Sequence, residues 1–316
     1  TNNHQLYDTV RGSDYALFSN TTDAEYNYST HPNGNLAPLI TSTGFTTPSV
    51  VNNGINRNGG TYAAWNFKAG GAAVTNPQGN TASQISANPD AGFSIVTHTS
   101  SMLSSQTFGH GLNSTPKIVI SKVRNIADSW WVFMPDVIGS TNVLELNANA
   151  AARSVGLTFS ANDTTFNIQW TSASYNFLHY CFAEVEGFSS FGSYAGTGAA
   201  GNTVVTGFEP AFVITKRTDS TGNWFIVDNK RSATDPRIKL LLADSSAAEQ
   251  DISGFNFLSN GFSFNGVNNN QSGASYIYMA FAADPTAVEP TLAGSFNTVL
   301  YTGPGTPITV SGVGFQ

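Results

Sequence analysis

Few side chains in this sequence have the type and spacing to do chemistry. The five histidines, His4, His31, His98, His110 and His179, never take a metal-ligand spacing, so they read as surface or strand residues rather than ligands. "DSTGN", from Asp219, could offer oxygens to calcium, yet an Asx or type I turn accounts for it without an ion. Two carboxylates a few ångströms apart would make a glycosidase pair. The carboxylates that recur, Asp8 and Asp228, recur together with Arg11 and Arg231, which is the pattern of a turn salt bridge. There is no Gly-x-x-x-x-Gly-Lys loop, no His-Glu-x-x-His and no Gly-x-Ser-x-Gly elbow. The chain is therefore read as a non-enzyme with no catalytic residue, no cofactor and no metal site.

Aromatic residues offer a different chemistry, because the apolar face of a pyranose packs on an indole ring. Trp65, Trp130, Trp131, Trp170 and Trp224 are the candidates. Trp130 and Trp224 hold equivalent places in an internal repeat, which favours a shared core role. Trp131 has no counterpart in the partial copy that opens the chain, and it is the candidate for glycan contact.

The repeat is visible by eye. "GFSIVTHTSSMLSSQTFGHGLNSTPKIVISKVRNIADSWW", from Gly92, runs parallel to "GFSSFGSYAGTGAAGNTVVTGFEPAFVITKRTDSTGNWF", from Gly187. Pro116 precedes Lys122 as Pro210 precedes Lys216. "TNNHQLYDTVRG", from Thr1, matches "TGNWFIVDNKRS", from Thr221, and "LFSNTTDAE" parallels "LLADSSAAE". Each copy closes on a similar strand: "YAAWNFKAG", "FLHYCFAEV" and "YIYMAFAAD", aligned on Phe67, Phe182 and Phe281. The tail "SFNTVLYTGPGTPITVSGVGFQ" matches the front of a unit, and Gly314-Phe315-Gln316 aligns with Gly207-Phe208-Glu209. Tail plus head make one unit that lacks the stretch equivalent to residues 210–220. The organisation read here is a partial unit over 1–90, units over 91–186 and 187–290, and a strand-bearing tail over 291–316.

Segments such as "KIVISKV", "AFVITKR", "NWFIVD" and "SYIYMAFA" are short and rich in β-branched and aromatic residues, and Gly-, Asn- and Pro-rich turns separate them. They predict an all-β fold of tandem antiparallel β-sandwich repeats, Ig-like or jelly-roll-like. "NANAAARS" and "DSSAAEQ" have room for one helical turn each. Charged residues make up 10% of the chain, with 20 acidic against 13 basic residues. That balance leaves no basic stripe for nucleic acid, and no apolar run approaches the roughly 18 residues of a membrane span. The one cysteine, Cys181, reads as a small core residue. A start at Thr1 without a signal peptide reads as a processed or excerpted chain.

"TYAAWNFKAGGAAVTN", "SANPDAGFSIVTHT", "FAEVEGFSSFGSY" and "GFEPAFVITKRTDSTGNWFIVDNKR" together resemble a repeat family of largely unknown function found in tail-fibre-like and other virion-associated proteins of aquatic bacteriophages, cyanophages above all. The resemblance implies a β-rich extracellular or virion-associated structural protein and brings no catalytic residues. In that family a unit opening with "FNTVLYTG" stands first, whereas here it stands last. The expected function is that of a non-enzymatic fibre component whose partner is itself, as a homo-oligomer or filament, with host-surface glycan as a weak contact. The alternative is a carbohydrate-binding or carbohydrate-active sandwich. Assembly would use strand complementation through Leu300, Tyr301, Ile308, Val310 and Phe315, which complete the first unit of the same chain or, in the arrangement favoured here, of a neighbouring one. The strand equivalent to residues 210–216 stays missing either way, leaving unpaired edge groups beside Phe315.

Overall fold

The computed structural model describes residues 2–32, 35–41, 44–48, 54–100, 106–169, 174–282 and 296–313. Its strands, in chain order, are β1 (Gln5–Leu6), β2 (Tyr15–Phe18), β3 (Tyr26–Asn27), β4 (Leu39–Thr41), β5 (Gly44–Thr46), β6 (Thr61–Phe67), β7 (Val74–Asn76), β8 (Ser83–Asn88), β9 (Phe93–Thr99), β10 (Thr107–Gly109), β11 (Ile118–Val123), β12 (Trp130–Phe133), β13 (Asn142–Glu145), β14 (Arg153–Ser154), β15 (Phe159–Ala161), β16 (Thr165–Ile168) and β17 (Asn176–Phe182). They continue with β18 (Ser189–Ala195), β19 (Thr203–Val205), β20 (Pro210–Arg217), β21 (Phe225–Asp228), β22 (Arg237–Leu242), β23 (Gln250–Leu258), β24 (Gly261–Phe264), β25 (Ser275–Ala282), β26 (Phe296–Thr302) and β27 (Thr309–Val310). The fold is all-β and antiparallel throughout its described pairings.

Strand order exposes the repeat. The middle unit runs β13-β12-β11-β17-β9 and the third runs β22-β21-β20-β25-β18. Registers agree residue for residue: Ile118 lies opposite Phe182 as Phe212 lies opposite Phe281, and Ile120 opposite Tyr180 as Ile214 opposite Met279. In the remaining unit β26 pairs with β6 of its own chain, placing Phe296 against Phe67 and Thr298 against Trp65. The middle unit does the same with Phe93 against Phe182 and Ile95 against Tyr180. β27 joins β5 and β4, and β1 joins β2 and β3, so chain end and chain start build one unit.

A stacked aromatic pair repeats at the same register in all three units: Tyr301 on Tyr62 (5.0 Å), His98 on Phe177 (5.1 Å) and Tyr194 on Tyr276 (5.0 Å). The Tyr301 hydroxyl donates to the Ile55 carbonyl at 2.7 Å as Tyr194 donates to Asn269 at 2.8 Å. Glycine is needed two residues on, because a Cβ at Gly303 or Gly196 would come within 2.6 Å of the Arg57 carbonyl oxygen or 2.1 Å of that of Gln271.

The boundary read at residue 90 falls inside a sheet. β7 and β8 add to the middle unit's edge, with Ile85 opposite Val96. A 3-10 turn at Pro89–Ala91, capped by the Asn88 side chain, joins β8 to β9. Neither "NANAAARS" nor "DSSAAEQ" is helical. Among the described residues the single α-helical turn is Pro135–Ile138, where proline at the first helical position fixes φ and needs no N–H.

The central strands are apolar on both faces because each sheet lies between two cores. In β11, Ile118 and Ile120 join a core shared among the units, while Val119 joins the middle unit's own sandwich core with Phe108, Phe159 and Phe166. Phe67, Phe182 and Phe281 meet in the shared core, their centroids 5.7, 5.1 and 6.0 Å apart. Cys181, Trp130 and Trp224 are buried as expected. Replacing Phe182 or Phe281 by Ala should cost about 3–5 kcal/mol, read as a lower urea midpoint. Trp131→Ala should cost less than either, and equal losses for all three would contradict this ranking of core positions.

Candidate functional site

The polar side chains that recur with the repeat lie at the seams between units. At the end of β1, Asp8 Oδ1 accepts from the backbone N–H groups of Val10 and Arg11, its Oδ2 accepts from Arg11 Nε, and Arg11 donates to the Leu6 carbonyl. Asp228 at the end of β21 repeats every bond, with Lys230, Arg231 and the Ile226 carbonyl. Both carboxylates then reach across a seam. Tyr180 of the middle unit donates to Asp8 at 3.0 Å, and Trp65 of the split unit donates to Asp228 at 3.2 Å while its ring lies under Arg231. Trp65, Tyr180 and Met279 share one register position, as do Asp8, Asp228 and Met134. The third seam therefore carries Met134 and Met279, both buried in the shared core.

A second set of contacts follows the same cyclic order. The Trp130 indole donates to the Phe18 carbonyl at 2.8 Å, and the Trp224 indole to the Glu145 carbonyl at 2.8 Å. Phe18, Glu145 and Leu242 occupy equivalent places, and the residue at the tryptophan position of the split unit is His4. Its Nε2 lies 2.9 Å from the Ser245 carbonyl oxygen, with the Leu242 carbonyl alongside. Lys122 donates across the seam to the Thr22 carbonyl, and Lys216 to that of Ala150. Burial lowers both amines to about 8, against the pull of nearby carboxylates. Among the described residues no third lysine repeats this contact.

The middle unit holds one further polar chain. Ser121 Oγ lies 2.7 Å from His179 Nδ1, and His179 Nε2 lies 2.8 Å from His98 Nε2. Sequence spacing hid this pair, since the two histidines are 81 residues apart; adjacent strands bring them together. Desolvation holds His98 down at about 3, and desolvation with the neighbouring imidazole holds His179 well below its usual value. Ser121 is fully buried, so its hydroxyl cannot meet a substrate. His98 borders a polar cleft of about 370 Å³ with Thr97, Arg124 and Asn176, and a second cleft, of about 250 Å³, lies between Arg217 and Tyr276. Among the described residues no group of three or more His, Cys, Asp or Glu is placed to hold a metal ion.

The residues singled out in sequence are dispersed. Trp131 is half-buried, Arg153 lies 5.8 Å from the ring centroid and covers its face, and its indole nitrogen is buried without a hydrogen-bond partner. Leu300 is exposed, Tyr301 is stacked on Tyr62, the Ile308 carbonyl accepts from Thr47, and Val310 is buried opposite Phe45. Phe315 lies outside the described residues.

Two outcomes follow for the seams and the buried histidines. Asp228→Ala removes the buried carboxylate from Arg231 and leaves it only the longer ion pair with the exposed Glu249, which should cost about 3–5 kcal/mol, whereas Asp228→Met with Arg231→Val and Trp65→Met, the residues found at the Met134, Val137 and Met279 places, should recover most of it in urea unfolding. His98 and His179 are held neutral when folded, so the unfolded chain takes up the extra protons in acid. The His98 contribution is complete above pH 6.5 and is lost as pH falls toward about 3, at about 1.4 kcal/mol per pH unit, and His179, also held well below its usual value, acts in the same direction. His98→Tyr with His179→Tyr, the residues of the third unit, should flatten melting temperature against pH in this window; an unchanged profile would contradict the assignment.

No curated protein and no solved structure matches the chain. Its sequence matches DUF7483, a domain of unknown function, over residues 1–285. By that match, which spans all three repeat units except the closing tail, the chain belongs to the DUF7483 family.

Proposed function

We propose that this protein is a non-enzymatic structural component of an extracellular fibre or phage tail-fibre-like appendage, one that assembles with further copies by strand complementation and touches host-surface glycan weakly. The observation that carries this reading is the use made of the polar side chains. The recurring Asp–Arg pairs, the two lysines and both repeated tryptophans are spent on joining one unit to the next, through backbone carbonyls and buried carboxylates. A chain built this way spends its few charges internally and is otherwise polar through Asn, Ser and Thr, with charged residues only 10% of the total. No helix among the described residues is long and apolar enough to cross a membrane.

The alternative, a carbohydrate-binding or carbohydrate-active module, draws on the two polar clefts. Both lie at or below the low end of the roughly 300–1,000 Å³ usual for ligand sites, and the Trp131 face is covered by Arg153. Sedimentation over a wide concentration range with negative-stain microscopy decides between them. Concentration-dependent oligomers or filaments, with no sugar released from host polysaccharide, are expected. A monomer at every concentration that binds a glycan array tightly, or that releases reducing sugar, would overturn the proposal.

A further inference from the structure

Trp131 has an equivalent in the third unit whose ring is left uncovered. Ser121 lies opposite Trp131 as Thr215 lies opposite Phe225, so the two aromatic residues hold one register position, and the split unit has Gln5 there. Arg153 covers the Trp131 ring. Phe225 is half-buried, and among the described residues no ring or cation stacks on it. It lines instead a cleft of about 250 Å³ between the turn that joins β20 to β21 and the loop over residues 267–271.

Both walls of the cleft are fixed by the fold. Asn270 is fully buried: its NH2 donates to the Ala199 and Gly266 carbonyls at 2.7 and 2.9 Å, and its side-chain oxygen accepts from the Thr197 N–H at 2.9 Å. Asn269, in the left-handed region at φ 45°, donates to the Thr215 hydroxyl at 2.7 Å. The Gln271 N–H donates to the Tyr276 hydroxyl at 3.0 Å. On the opposite wall the Gly222 N–H donates to the Asn149 carbonyl at 2.9 Å, and Arg217 donates to the Gln271 side chain, tying the two walls together. A cleft held in this way has little ordering left to do on binding. Its lining combines an apolar surface, from Phe225 and the exposed Val267, with amides that have groups to spare. Asn223 has no hydrogen-bond partner among the described residues, Asn268 gives its oxygen to Ser253 and keeps its NH2, and Gln271 accepts from Arg217 and keeps its own. Charge is already matched, because Arg217 donates to Asp219 at 2.7 Å. An anionic ligand would have to break that pair and face the Asp219 carboxylate.

We infer that this cleft is a subsite for one uncharged pyranose ring of a glycan chain, with the apolar face of the sugar on Phe225 and its hydroxyls on Asn223, Asn268 and Gln271. The site rests on the weak glycan contact of the proposed function and moves that contact from Trp131 to Phe225. Ligands that fill about 300–1,000 Å³ are drug-sized, so a volume too small for them suits a single sugar ring. An apolar pyranose face packs on an aromatic ring, and an amide side chain offers both a donor and an acceptor, as neighbouring sugar hydroxyls do. One ring in one cleft binds weakly, with a Kd on the order of 1 mM.

The test is saturation-transfer difference NMR on the whole protein with the methyl glycosides of glucose, galactose, mannose, rhamnose and N-acetylglucosamine at about 10 mM, and with glucuronic acid as the charged comparison. At least one neutral glycoside should receive transfer, strongest at the ring hydrogens of one face, and glucuronic acid should receive less. Phe225→Leu keeps an apolar side chain without the ring, and Asn223→Ala removes an amide that holds no other described residue. Each should raise Kd about three- to tenfold, with the melting temperature unchanged in Asn223→Ala, whereas Trp131→Ala should leave Kd as it is. No transfer to any neutral glycoside, or stronger binding of glucuronic acid than of all of them, would overturn the site. So would binding that survives both cleft variants; if Trp131→Ala then abolishes it, the glycan contact stands and only its place is wrong. Filaments that form without any transfer leave the assembly reading standing and sink this one.

Discussion

The structure depends on the meeting of Phe67, Phe182 and Phe281 at the centre of the shared core. Each comes from the closing strand of its unit, and each touches the other two in edge-on or tilted contacts, the arrangement that the aromatic quadrupole favours. To bring three sheets to one point, each sheet must bury its second face against its neighbours as well as its first face against its own sandwich. That requirement accounts for the near-continuous apolar runs of β11, β17, β20 and β25, which alternation alone would not predict. It also makes the units mutually dependent, since no one of them can cover its inner face by itself.

Three sheets that meet through apolar faces could dock in more than one order, and the seams restrict the choice. Asp8 is opposite a tyrosine hydroxyl and Asp228 opposite an indole N–H, whereas Met134 shares its seam with Met279. Exchanging partners would place a methionine before a buried carboxylate oxygen and leave that oxygen short of a donor, at about 1–3 kcal/mol. The ionic seams add little net stability over well-packed apolar groups, but they discriminate. Carbonyl contacts from His4, Trp130 and Trp224 close the same circle at the outer rim.

Much of this was legible in the sequence, because a repeat makes one reading check another. The match of "TNNHQLYDTVRG" to "TGNWFIVDNKRS" implied that the chain's start and a strand of the third unit are the same object, and the duplicated Asp–Arg geometry bears that out. The burial of Trp130, Trp224 and Cys181 was equally accessible from register. What spacing could not supply were contacts between strands distant in sequence. His98 and His179 become neighbours only through the pairing of β9 with β17; their structural equivalents Tyr194 and Tyr278 lie on the paired strands β18 and β25, but the sequence match from Gly92 and Gly187 sets His98 one residue off, against Ser193. The cover of Trp131 by Arg153 lies at a two-residue edge strand with no periodicity to announce it. The addition of β7 and β8 to the middle unit was hidden because that hairpin has no counterpart among the described residues of the other copies.

Edges complete the physical account. Folded β proteins blunt a free strand with charge, proline, irregularity or shortness. β14 is two residues long and carries Arg153, and β3 is two residues long. β18 is as long as β6 but presents Gly192 and three serines, a surface poor in grip. β6 follows none of these devices: Tyr62, Trp65 and Phe67 stand within seven residues that bear no charge. Its composition is that of a central strand, matching the closing strands whose both edges are paired.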